Sequence, residues 1–385
     1  MTLNPQRVSP YYTEDHEAFR DQVRRFVARE LAPNIDEWDE AGEVPWSFHK
    51  AAADAGLLQL GYPESLGGVE APDSFYNIIL NDELAQTGSG GIMPAVWVHG
   101  IACPPIVAFG SQAQQAKYVT PVLAGEKMAA LAITEPSGGS DVAAIKTTAR
   151  DAGDHYLVNG SKTFISGGMR ASAFTTAVRT GGDGPGGVSM LIIDADLPGV
   201  SRTPLKKMGW WCSDTATLYF DNVKVPKSNL LGQENRGFAV IMHNFNSERL
   251  SMCAQAYGLA RCCIDQAAAY ARDRHTFGQP LAGHQVIRHK LVDMQMRNQS
   301  VKAWLDEIAW RIDHGETPVA DLSMLKVLAT QTLEFCANEA MQIFGGAAYM
   351  RGNKVERIYR ETKVMTIGGG SAEILKDLAA RQLGF

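Results

Sequence analysis

From about residue 13 to residue 128, apolar residues recur at helical spacing with few breaks. In HEAFRDQVRRFVARELAP, Phe19, Val23, Phe26, Val27 and Leu31 fall on one face, which predicts an amphipathic helix. At about residue 129 the texture changes. MAALAIT, HYLVNG, TFIS, AFTTAV, VSMLIID and ATLYF are short β-type runs separated by Gly, Asp and Asn. Asn159-Gly160 predicts a hairpin turn, because both residues tolerate positive φ, and the strands together predict an antiparallel sheet or barrel. GGDGPGG at 181–187 is followed by no Lys-Ser/Thr pair and opens no helix, so it reads as a hairpin connection and not as a phosphate loop. From about residue 237 four long amphipathic stretches resume, the last being SAEILKDLAARQL, and their short joints suggest a bundle. The expected fold is α+β in three domains: a helical domain over 1–128, an antiparallel β-barrel or sandwich over 129–236 and a four-helix bundle over 237–385.

Composition narrows the function. The 385 residues are 45% hydrophobic and 20% charged, enough for sizeable cores, and the formal net charge is −6. A nucleic-acid partner is not expected, since phosphate needs a concentrated positive face. Apolar runs such as MAALAI fall far short of the roughly 18 residues that cross a bilayer, so no membrane insertion is expected. The first residues, MTLNPQRVSPYYTEDHEAF, carry no apolar signal core, which makes a cytoplasmic location the expectation. The six cysteines form no CxxC pair and read as reduced, buried thiols with no metal site.

Several catalytic devices are absent. There is no GxSxG or HExxH, and His284 and His289, five apart, point about 140° away from each other on a helix. What stands out is one acid in an apolar stripe. Ile241, Phe245, Glu248 and Met252 fall at i, i+4, i+7 and i+11, while Arg249 is turned about 100° away. Glu248 is either a carboxylate at the edge of the stripe reaching water or a desolvated general base. TEPSGGSD (134–141) supplies donors for a polar ligand edge directly after a strand, and any Gly/Ser turn would look similar. In GGGSAEI (368–374) three glycines allow close backbone approach, and Ser371 can cap the last helix.

Taken in order, PESLGG, LAITEPSGGSD, NGSKTFISGG, KMGWWCSDT, SERL, RDRHTFGQPLAGHQ, QIFGGAAYM and YRETKVMTIGGGSAEI resemble the acyl-CoA dehydrogenase family over nearly the whole chain. The resemblance implies FAD held between the β domain and the bundle, and a homotetramer or homodimer that completes the cofactor site. By position, Leu131, Ile133, Thr134, Gly139, Ser140, Phe164 and Ser166 would line the flavin. Arg274, Thr276, Phe277, Gln285, Gln342, Gly345 and Gly346, with Ser371 and Glu373, would reach the ADP half across a subunit boundary. Arg and aimed backbone donors suit a pyrophosphate.

Many relatives carry their base in a YEGT motif, whose Glu is matched here by Gly369. In the isovaleryl-CoA and long-chain subgroups the bundle helix supplies the Glu, and the residue matching it is Glu248. The resemblance therefore implies α,β-dehydrogenation of an acyl-CoA to a trans-2-enoyl-CoA, with Glu248 as base and the Gly369 N–H on the thioester carbonyl. Substrate contacts would come from Ser140, Phe245, Asn246, Arg249, Gly369 and Gly370, with acyl selectivity from the segment between Trp97 and Cys103. Electron transfer flavoprotein is the implied acceptor, and fatty-acid β-oxidation the implied setting. Two other readings stand beside it: an oxidase on the same scaffold that uses O2, and a catalytically silent interaction scaffold.

Overall fold

The computed structural model describes residues 9–385, apart from the side chains at positions 243, 244, 246 and 247. The seven longest helices are numbered α1 to α7. Helix α1 (Glu14–Phe26) starts at Thr13, whose hydroxyl and the His16 ring cap each other's backbone N–H. It runs on through a π-helical turn, Val27–Leu31, and buries Val23, Phe26, Val27 and Leu31, the face read from the sequence. Helix α2 (Phe75–Ala85) is enclosed on nearly all sides and carries two buried acids. Arg20 of α1 lies 3.3 Å from both Asp82 and Glu83, and Arg261 of the bundle lies 2.9 Å from Asp82. Removing those cations would leave buried carboxylates unpaired, so the ion cluster ties the first domain to the last.

The middle of the chain forms β1 (Ala129–Ala132), β2 (Thr148–Asp151), β3 (His155–Ser166), β4 (Ala173–Arg179), β5 (Val188–Asp194), β6 (Val200–Pro204), β7 (Thr215–Pro226) and β8 (Leu230–Leu231). They make one sheet in the order β6-β7-β3-β2-β4-β5-β8, with β1 added beside β4. The sheet is mixed and not purely antiparallel. β1 runs parallel to β4, pairing Ala129 with Ala173 through Ala132 with Thr176, and β2 touches β4 in parallel at Thr148 and Arg179.

Asn159-Gly160 is not a turn. It lies inside β3, where the register against β7 slips between Val158 and Gly160. A Cβ on Gly160 would come within 2.6 Å of the Thr147 hydroxyl, so this glycine permits a bulge and a close approach of backbones. The 181–187 segment does join β4 to antiparallel β5 as a hairpin connection.

The C-terminal part contains α3 (Gly237–Asp273), α4 (Gln285–Asp313), α5 (Val319–Phe344), α6 (Lys354–Ile367) and α7 (Ala372–Leu383). Four helices were expected here, and α6 is a fifth. Its sequence, KVERIYRETKVMTI, hides the apolar stripe because Arg357 and Glu361 are buried along with Val355, Ile358 and Met365. Glu361 accepts hydrogen bonds from the backbone N–H of Gly90 at 2.7 Å and of Trp210 at 3.0 Å, so one carboxylate joins all three parts of the chain.

Burial, and then the charge of Asp39, push the Glu361 carboxyl up to about 7. Because the folded value lies above the ordinary 4.5, its stabilisation is complete below pH 4.5 and is lost as pH rises through about 7. The stability advantage of the wild type over Glu361→Gln, measured by urea unfolding, should therefore shrink by about 3 kcal/mol between those limits. A difference independent of pH would refute this.

All six cysteines are free and buried. Among the described residues no group of His, Cys, Asp and Glu could hold a metal, and no helix is long and apolar enough to cross a membrane.

Candidate active site

Helix α3 places Ile241, Phe245, Glu248 and Met252 on one side, as their spacing requires. Ile241 and Phe245 pack into the same apolar cluster as Leu131 and Ile133, so the stripe faces the end of β1. Further along the stripe, Glu248 and Met252 meet the glycine run after α6. A Cβ on Gly369 would stand 3.7 Å from Glu248 Oε1 and would collide with Met252 Sδ. Gly369 and Gly370 both have positive φ, 65° and 98°, so the chain reverses here in a form that other residues adopt only under strain. The glycines thus bring backbone against a carboxylate 121 residues earlier in the chain.

Desolvation raises the pKa of Glu248 above the ordinary glutamate value, while Arg249 and then Lys326 pull it back. Arg249 is buried with its guanidinium 5.6 Å from the centre of the Phe245 ring. The Asn246 side chain lies outside the described residues. Lys326 was not anticipated. It is fully buried on α5, and its Nζ donates to the carbonyls of Gly368 at 2.8 Å and Gly370 at 2.9 Å. The signal is in the sequence: Leu322, Lys326, Ala329 and Leu333 repeat the i, i+4, i+7, i+11 spacing that marks Glu248.

The β-sheet side of the site is set by a second buried lysine. Lys162 Nζ donates to the Ile133 carbonyl at 2.9 Å and to Glu135 Oε1 at 2.8 Å. Glu135 also accepts from the N–H groups of Lys146 and Thr147, and the Thr163 N–H donates to the Thr134 carbonyl at 2.9 Å. These bonds hold Leu131, Ile133 and Thr134 beside the end of β3. Gly139 and Ser140 are left exposed on the loop. On β3, Phe164 is 70% exposed at a φ of 59° between two buried neighbours, with the half-buried Ser166 next to it. An apolar ring that size on open surface beside a rim of hydroxyls suits a flat, polar-edged ligand.

The remaining candidates form a separate group. Arg274 follows the end of α3, twenty-six residues beyond Glu248, about 39 Å at the helical rise. Thr276 and the 97% exposed Phe277, with φ of 52°, form a tight hairpin there, and Gln285 opens α4. Phe344 stacks on Tyr270 with ring centres 4.2 Å apart, which sets the exposed Gln342, Gly345 and Gly346 close by. Ser371 and Glu373 do not join this group within one chain. They begin α7 immediately after Gly370, where the Ser371 hydroxyl accepts from the Ile374 N–H. Of the N-terminal segment, Cys103 lies in the cluster with Ile133 and Ile241, whereas the Trp97 indole is committed to the helical core and donates to Leu57 O at 3.0 Å.

Three sequence profiles match in the order of the architecture: acyl-CoA dehydrogenase N-terminal domain over residues 13–126, middle domain over 130–223 and C-terminal domain over 235–384. The chain belongs to the acyl-CoA dehydrogenase family. It is 36% identical to acyl-CoA dehydrogenase AFT10-1 of Alternaria alternata, covering 96% of this chain and 92% of that one. It is 34% identical to the 3-(aryl)acrylate reductase of Clostridium sporogenes, covering 97% and 99%. The crystal structure of acyl-CoA dehydrogenase from Geobacillus kaustophilus superposes with a TM-score of 0.94 at 33% identity, covering 98% of this chain and 100% of that one.

As an acyl-CoA dehydrogenase the protein is an oxidoreductase, and FAD is its cofactor. The residues present fit that group. The exposed Phe164 face and the hydroxyls of Thr134 and Ser166 offer a flat surface with polar partners. The Arg274 group offers a cation and unfilled glycine backbone at Gly345 and Gly346.

Proposed function

We propose that this acyl-CoA dehydrogenase removes the α proton of an acyl-CoA with Glu248 and yields a trans-2-enoyl-CoA. The carrying observation is the approach of Glu248 Oε1 to Gly369: a half-buried carboxylate on an apolar stripe and a glycine backbone in a positive-φ turn border one space. The α C–H is too weak an acid to ionise unaided at neutral pH. A thioester carbonyl held by the Gly369 N–H gains stabilisation as negative charge develops on its oxygen, typically about 3 kcal/mol for such a donor. The raised pKa makes Glu248 a stronger base once ionised. Bound FAD supplies the acceptor for the hydride that leaves the β carbon. Leu131, Ile133, Thr134, Gly139, Ser140, Phe164 and Ser166 would hold the ring. Phe245, Arg249, Ser140 and Gly370 would flank the thioester and its CoA arm, with Asn246.

The distance between Glu248 and the Arg274 group supports a cofactor site shared between chains, in which one chain's Arg274, Thr276, Phe277 and Gln285 reach the ADP half of its partner's FAD. The exposed Val286, Val292 and Met296 on α4 also favour an oligomer. Electron transfer flavoprotein is the proposed acceptor. A base on a mid-bundle helix favours branched or bulky acyl groups, as in the isovaleryl-CoA-like subgroup. The test is a panel of acyl-CoAs graded in length and branching, assayed with a dye acceptor and separately with O2. Turnover with the dye far above that with O2 is expected. Equal or faster turnover with O2 would make the protein an oxidase, and no flavin reduction by any acyl-CoA would end the proposal.

A further inference from the structure

We propose that Lys326 is a positioning residue for the reaction: its ammonium, held on the carbonyls of Gly368 and Gly370, orients and polarises the Gly369 N–H that receives the thioester oxygen. The inference rests on the reading of Glu248 and Gly369 given above and adds a residue to it. The stereochemistry is direct. The chain has no cis peptide bonds among the described residues, and in a trans peptide the C=O and the following N–H point in opposite directions. A bond from Lys326 Nζ to the Gly368 carbonyl at 2.8 Å therefore aims the Gly369 N–H away from α5.

The second bond, to Gly370 O at 2.9 Å, anchors the loop on the other side of Gly369. Two bonds from one ammonium clamp a stretch whose glycines would otherwise reorient freely. A cation on a peptide oxygen also draws electron density from its N–H, which strengthens it as a donor. The hydrogen bonds thereby tie the donor's orientation to α5, while Glu248 approaches from α3. Burial is consistent with this role. Lys326 is fully enclosed, so its charge acts on these carbonyls with little screening by bulk water, and burial pushes its ammonium down to about 8, offset in part by Cys253 and then Glu248.

The test compares wild type with Lys326→Met, which keeps the bulk and removes the donors. Flavin reduction by a saturating acyl-CoA should slow about 10- to 100-fold, as expected when an oxyanion donor is misaimed, while the Kd for acyl-CoA changes less than about threefold. Two readouts are independent of turnover. The infrared carbonyl stretch of a bound 13C-thioester, lowered in wild type, should return towards its solution value. Exchange of the α protons of 3,3-dimethylbutyryl-CoA into D2O, a thioester with no β hydrogen to lose, should slow by the same factor. Methylammonium should restore part of both in Lys326→Ala.

A variant that loses thermal stability or FAD, yet shows wild-type carbonyl frequency and exchange in the fraction that stays loaded, would overturn the proposal, leaving a structural lysine. If Lys326→Met does not fold, Lys326→Gln, whose amide is uncharged and reaches less far, is measured the same way. Wild-type values there with both carbonyl bonds lost would also overturn it. Should wild type itself neither lower the carbonyl frequency nor reduce its flavin with any acyl-CoA, the failure lies in the proposed function. Wild-type activity with a silent Lys326 substitution fails this inference alone.

Discussion

Glu248→Gln protein is expected to keep FAD and bind acyl-CoA while its flavin is reduced about 100- to 10,000-fold more slowly in anaerobic stopped flow. The substitution preserves shape and packing against Phe245 and Met252 and removes only the capacity to take a proton. Glutamine is also uncharged, so it relieves the desolvation that raises the Glu248 pKa, and the variant should be no less stable than wild type. The pH profile gives a second check. A base must be ionised to act, and its value lies above the ordinary 4.5, so kcat/KM should climb with pH along a limb centred above that figure. Reduction at the wild-type rate in Glu248→Gln would remove this carboxylate from the chemistry.

Lys162→Met should cost about 3 to 5 kcal/mol of stability and loosen FAD binding, because it strands a carboxylate in the interior. The pair is enclosed, with side chains 0% and 3% exposed. Burial pushes Lys162 down to about 8 despite the attraction of Glu135. For Glu135, burial acts upward, but Lys162 and the backbone donors outweigh it and hold the carboxyl below its ordinary value. The Ile133 carbonyl would lose its donor as well, and with it part of what fixes the adjoining Thr134, whose carbonyl accepts from the Thr163 N–H. Denaturant midpoints and flavin retained after gel filtration measure both effects. Lys162→Met combined with Glu135→Gln should recover part of the loss, since the uncompensated charge is gone. A single substitution that costs less than about 1 kcal/mol would show that water reaches the pair.

The helical and strand regions were legible because each rests on a local repeat. Phe26, Val27 and Leu31 share a face whatever they later pack against, and so do Ile241, Phe245 and Glu248. Local signals also misled where a neighbour decided the outcome. Asn159-Gly160 has the chemistry of a turn, yet the approach of Thr147 uses the glycine for a bulge within β3. Helix α6 lacks a clean apolar stripe because its buried face contains Arg357 and Glu361, charges tolerable only where Gly90, Trp210 and Asp39 already stand.

The chain order of motifs carried the family and its cofactor, since those depend on many short stretches, each readable by itself. Lys326 shows the limit. Its place on an apolar stripe could be read, but its partners could not, because the carbonyls it binds lie 42 and 44 residues away.

By itself, then, the sequence determined the succession of a helical, a strand-rich and a second helical region, the family, and the fact that Glu248 and Lys326 each sit on an apolar face, because periodicity acts within a single element. Only the tertiary structure decided that those two faces meet at Gly369, and that Thr147 packs against Gly160 inside β3. Such meetings depend on how rigid elements pack across long separations, which no local spacing encodes.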